Sequence, residues 1–111
     1  GNIKSSYFTP KNDPETKFHV PSEDSEKVHI AFKADDVILS NNKFESSARN
    51  SFQGTVESIN KKLSLSEVTV LVNKTKFTSM ITHDSLKEMK IFIGEPIWVT
   101  FKSSAVKVFP Y

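Results

Sequence analysis

Apolar and polar residues alternate through most of the second half of the chain. Val68, Val70 and Val72 occupy every second position of Glu67 to Asn73 (EVTVLVN), the period of a half-buried strand. Asn73-Lys74-Thr75 has the composition of a hairpin turn, so Lys76 to Thr82 (KFTSMIT) is predicted to return beside it. In Ile97 to Lys102, Ile97, Val99 and Phe101 fall on one face and Trp98, Thr100 and Lys102 on the other. Phe52 to Ile59 places Phe52, Gly54, Val56 and Ser58 together, with Gly54 marking a bulge or a close backbone approach and Asn60-Lys61-Lys62 the turn. Upstream, Val28, Ile30 and Phe32 alternate in Lys27 to Phe32, and Asp35 to Leu39 is a short apolar piece ended by the turn Ser40-Asn41-Asn42. Ala105 to Phe109 closes the series with Val106 and Val108 inward.

The period changes once. Thr82 can cap a short helix from His83 to about Lys90, with Asp84 in its first turn and Leu86 and Met89 on one stripe. No glycine follows the helix until Gly94. Five or more short strands and one helix predict a mostly β fold, a small OB-like barrel. Residues 1 to 26 carry Pro10, Pro14 and Pro21 among polar residues and read as an irregular tail or connector, with Tyr7, Phe8, Phe18 and Val20 as candidate docking points. Residues 27 to 45 would add one or two strands leading into a barrel domain at 46 to 109.

Composition narrows the chemistry. The chain has 111 residues, a net charge of +2 and no cysteine, so disulfides, thiolate nucleophiles and zinc ribbons are excluded. His19, His29 and His83 lack metal-ligand spacing, and three glycines cannot write a phosphate-binding loop. Asp35 and Asp36 are strand neighbours pointing to opposite faces, not an acid/base pair. No apolar run is long enough to cross a bilayer, and the chain reads as soluble and intracellular, without catalytic residues. Arg49 is the one arginine among 15 basic residues. With Ser47, Asn50, Thr82, Ser85, Lys102 and Ser103 it forms a set of cations, hydroxyls and amides suited to a compact anion.

Ser46-Ser47-Ala48-Arg49-Asn50 resembles the SARN signature that opens the molbindin (Mop, TOBE-type) domains. The similarity continues through FQGTVESI, EVTVLV, FTSMITHDSLKEM and IWVTFKSSAVKVF, covering residues 46 to 109 in the family order. The resemblance implies reversible binding of molybdate or tungstate, with no other cofactor, by Ser47, Ala48, Arg49, Asn50, Thr82, Ser85, Lys102 and Ser103. It also implies a homodimer or higher homo-oligomer with sites where subunits meet, Trp98 and Thr100 being partly buried at that contact. HIAFKADDVILS resembles the segment preceding SARN in importer ATPases of the molybdate/tungstate ABC type, with Lys33 and Ala34 in place of its usual Arg and Pro. That implies a regulatory C-terminal domain at the inner face of a membrane, with transporter subunits as partners and the nucleotide-binding domain outside this chain. Two other readings compete. One is a ligand-free TOBE interaction module of another transporter. The other is a single-stranded nucleic-acid-binding OB barrel, which the balanced charge and inward Phe32, Phe52 and Phe101 disfavour.

Overall fold

The computed structural model describes residues 1–4, 7–11, 13, 15–19, 28–31, 33, 36–43 and 49–110. Its centre is a curled five-stranded sheet that forms half a barrel, in the mostly β architecture expected. The alternating valines place β7 (Leu65–Val72) there, and each of Val68, Val70 and Val72 is buried. A two-residue turn leads to β8 (Thr75–Thr82), and Asn73 adopts φ 53°, which its short polar side chain tolerates. β6 (Arg49–Lys61) is long enough to serve two partners. Its first half pairs with β9 (Pro96–Lys102) and its second half with β7, and Thr55 is shared between Pro96 and Leu71.

The change of partner explains two features of β6. A Cβ on Gly54 would lie 2.6 Å from the Leu71 carbonyl oxygen and under 3 Å from Val70 and Val72 methyls, so the glycine marks a close approach. The bulge lies further on, between Val56 and Ser58. It reverses the alternation, so Ser58 is exposed instead of sharing the inner face, and Ile59 packs against the core. The loop before β9 seals this point: Val56 N–H donates to Glu95 O at 2.9 Å and Gly94 N–H donates to Val56 O at 2.8 Å.

β5 (Ile38–Ser40) adds to the outer edge of β9, giving the order β5-β9-β6-β7-β8. Ser79, buried on β8, donates its hydroxyl to Val37 O at 2.6 Å and so links the two edges of the sheet. β4 (Val28–Ala31) pairs with β10 (Lys107–Pro110), two strands expected from their apolar runs. Phe32, Ala34 and Asp35 lie outside the described residues.

The first 19 residues differ from the irregular tail expected. They contribute β1 (Asn2–Lys4), β2 (Tyr7–Thr9) and β3 (Phe18–His19), which form a three-stranded sheet. Strands of two or three residues have no readable period, and prolines stand between them. What orders them is contact with the barrel. Phe18 is 1% exposed and packs its ring against Phe8, Phe52, Phe77 and Phe101 at centroid distances of 5.4 to 5.9 Å. Asp13 Oδ2 accepts from Thr75 Oγ1 at 2.6 Å, Thr16 Oγ1 at 2.7 Å and Lys74 N–H at 3.1 Å. Asn73 Nδ2 donates to Thr16 Oγ1 at 2.8 Å, so the β7–β8 turn is held by side chains from the N-terminal segment.

Candidate functional site

The eight residues assigned to an anion site fall into two groups. Ser47 and Ala48 lie outside the described residues, and Arg49 is described through its backbone. The β6–β9 register sets Arg49 directly opposite Lys102 and Asn50 opposite Phe101. Opposed residues in an antiparallel pair stand about 4.5–5.5 Å apart at Cβ, and like charges there destabilise the sheet. Lys102 is exposed, and no described carboxylate pairs with it. The register therefore sets two basic residues against each other at this strand end, with no ion pair to Lys102 among the described residues. Asn50 alternates to the inner row beside Phe101 and is 7% exposed, so its side chain belongs to the interior. Ser103 begins a 3-10 turn, Ser103–Ala105, that follows Lys102 directly.

The remaining pair starts helix α1 (His83–Glu88). Thr82 is its N-cap: Thr82 Oγ1 accepts from Ser85 N–H at 3.0 Å and donates to Ser85 Oγ at 2.9 Å. The Ser85 hydroxyl proton is thereby left for another acceptor. His83 is tied elsewhere, with Nδ1 at 2.8 Å from the hydroxyl of buried Ser66. Thr82 pairs with Leu65, next to the Lys61–Ser66 pair at the far end of β6. Arg49 and Lys61 bound a strand of 13 residues, roughly 40 Å of contour at ~3.3 Å per residue. The register thus brings the Arg49 and Lys102 backbones together, with Ser103 following Lys102, and sets Thr82 and Ser85 at the β8–α1 junction on another edge of the sheet.

The outward face beside Lys102 is already packed within one chain. Thr100 is fully buried, with its hydroxyl 3.0 Å from Ser51 Oγ, so its burial needs no second subunit. Trp98 is half-buried, with Lys43 Nζ 6.0 Å from its ring centroid. Among the described residues there is no cluster of three His, Asp or Glu that could hold a metal ion, and no helix long and apolar enough to cross a membrane.

Comparison with known proteins gives a consistent picture. The molybdate/tungstate import ATP-binding protein WtpC of Pyrococcus abyssi is 36% identical over 93 residues, covering 84% of this chain. The WtpC protein of Pyrococcus horikoshii is 32% identical over 94 residues, covering 85%. The chain spans 27% of the length of these curated relatives. The structure superimposes with a TM-score of 0.73 on the cytoplasmic molybdate-binding protein ModG in its molybdate-bound crystal form, at 27% identity, covering 83% of this chain and 67% of that one. The TOBE domain profile matches residues 46–108, more than half of the chain, which therefore belongs to the TOBE domain family.

Proposed function

We propose that the chain binds molybdate or tungstate reversibly, with no covalent step, in a site completed by two copies. The observation that carries this reading is the register that sets Arg49 opposite Lys102 where no described carboxylate neutralises Lys102. A tetrahedral dianion offsets the repulsion between two cations and accepts hydrogen bonds from hydroxyls and amides on every side. Ser47, Ala48 and Ser103 adjoin the cations in sequence and supply further donors. Thr82 and Ser85 belong to the β8–α1 junction, on a different edge of the sheet from the Arg49–Lys102 pair. They would serve the site of a neighbouring copy. The names of the WtpC relatives and of ModG support the ligand, and with it a cytoplasmic regulatory domain of an import ATP-binding protein. In that role, oxyanion binding would favour one arrangement of paired domains and slow transport, given unequal affinity for the two arrangements.

A thermal-unfolding titration with molybdate and tungstate, against sulfate at equal ionic strength, tests the ligand. Binding to the folded state alone adds about 2.7 kcal/mol at a hundredfold excess over Kd. For a domain of this size each kcal/mol raises the midpoint by about 4–8 °C. Arg49→Ala and the double variant Thr82→Ala/Ser85→Ala should each lose the response. Mixing the two should restore part of it, because a mixed pair contains one intact site. No rise with either oxyanion in the unmodified protein would leave the chain a ligand-free interaction barrel. A response that mixing fails to restore would place the whole site within one copy.

A further inference from the structure

Asp13 and Phe18 precede the residues matched to the TOBE family, yet both are built into the barrel. The Phe18 ring stands edge-on to two rings at once, Phe52 on β6 at 5.9 Å and 72° and Phe101 on β9 at 5.6 Å and 84°. Those two rings lie 6.3 Å apart across the β6–β9 pair. Phe101 directly precedes Lys102, and Phe52 stands close behind Arg49 on the same strand. One ring from the N-terminal segment therefore bridges the two strands just behind the Arg49–Lys102 pair.

The bridge sits where the sheet opposes itself. Two cations directly across an antiparallel ladder repel each other and favour fraying of the strand ends. The ladder and the packing behind it resist: Phe101 is fully buried, and Asn50 opposite it is 7% exposed. Without the Phe18 ring, Phe52 and Phe101 lose the edge-on contact they share, and the repulsion acts on a looser strand end. An anion site binds more tightly when its cations are already held in place, because ordering them is then no part of binding.

The segment that carries Phe18 is fastened at a second point. Asp13 Oδ2 accepts from Thr75 Oγ1 and Lys74 N–H, and Thr16 Oγ1 accepts from Asn73 Nδ2, all on the β7–β8 turn and the start of β8. This clasp is a few residues from Phe18 in the chain, so clasp and ring dock together.

We infer that Phe18 is a positioning residue for the oxyanion site, and that docking of the N-terminal segment and oxyanion binding form one linked equilibrium. The inference rests on the oxyanion reading and adds a regulation to it. Whatever draws the segment off the barrel lowers affinity for the anion, and bound anion holds the segment down by the same factor. The linkage operates within one chain.

Two measurements test it, with molybdate as the probe and sulfate as the control. In isothermal titration calorimetry, at a temperature where circular dichroism shows each variant folded, Phe18→Ala should weaken molybdate binding about fivefold or more. Phe18→Leu, which refills much of the lost volume, should recover most of that loss. Equal affinity in the unmodified protein and Phe18→Ala would show that the ring serves stability alone and overturn the proposal. In the unmodified protein, amide exchange at Phe8 and Phe18 should slow about fivefold or more on saturation with molybdate and stay unchanged with sulfate. This second measurement needs no variant, so it decides the matter even where Phe18→Ala fails to fold. Binding heat with unchanged exchange would sink the linkage alone. No heat with molybdate or tungstate in the unmodified protein would sink the oxyanion reading and the linkage with it.

Discussion

Asp13 shows how much one residue can depend on sequence-distant neighbours. It is 2% exposed, and burial alone would raise its pKa. The hydrogen bonds from Thr75, Thr16 and the backbone N–H groups of Lys74 and Glu15 outweigh that effect and hold the carboxyl below its ordinary value. A carboxylate with a depressed folded pKa contributes stability that is complete above its unfolded pKa and disappears as pH falls through the folded value. Asp13→Ala is expected to cost about 1–3 kcal/mol at neutral pH, since Thr16, Thr75 and Lys74 lose their acceptor. In urea titrations the difference between variant and parent should shrink once the pH drops below the lowered pKa. From the sequence Asp13 reads as one more polar residue between two prolines. Its partners Lys74 and Thr75 lie 61 and 62 positions away, beyond the reach of local pattern.

Elements with strong local signals were legible. The Val68, Val70 and Val72 alternation set the inner face of β7, and Thr82 caps α1 as its position suggests. The helix exit was not legible, because it uses an unusual residue. Instead of running on toward Gly94, α1 closes at once: Lys90 N–H donates to Lys87 O at 3.1 Å and Ile91 N–H donates to Leu86 O at 3.2 Å. This is a Schellman closure, and its left-handed position is taken by Lys90 at φ 53° instead of by glycine. A residue with a Cβ pays roughly 1 kcal/mol or more for that conformation. Lys90→Gly should therefore raise stability by about 1 kcal/mol, measured by chemical denaturation. An unchanged midpoint would mean that the lysine side chain makes compensating contacts. The bulge after Val56 was hidden for a related reason: alternation predicts faces only while the register holds.

At the scale of the whole molecule, the barrel was readable, whereas of its cover only the docking residues Phe8 and Phe18 were, and not their strands or partners. Phe18 fills the space between Phe52, Phe77 and Phe101, so β3 supplies core to strands far along the chain. Phe18→Ala is expected to cost about 3–5 kcal/mol, the range for a buried ring, measured by urea unfolding. A loss under about 1 kcal/mol would show that the N-terminal sheet only rests on the barrel. The proposed anion site was legible as a set of residue types and not as a geometry. Arg49 and Lys102 are 53 positions apart and meet through register, whereas Thr82 is nearer to each in sequence and sits at the β8–α1 junction on another edge of the sheet. Spacing along a chain does not say which strand ends coincide. That is why the division into two halves emerges only from the pairing.

The Phe18 plug has a consequence for how the chain reaches this state. β6, β7 and β8 form an antiparallel meander of neighbours and can assemble through short loop closures. The β6–β9 pairing spans about half the chain, and Phe18 must then find Phe101 across 83 positions. Such separations put the domain among slow-folding β topologies, on the order of milliseconds to seconds. The N-terminal segment is made before the barrel strands but meets its full set of partners, Phe101 included, only once β9 exists. During that interval the core around Phe52 and Phe77 lacks Phe101, which makes the nascent barrel prone to association through its unfinished core.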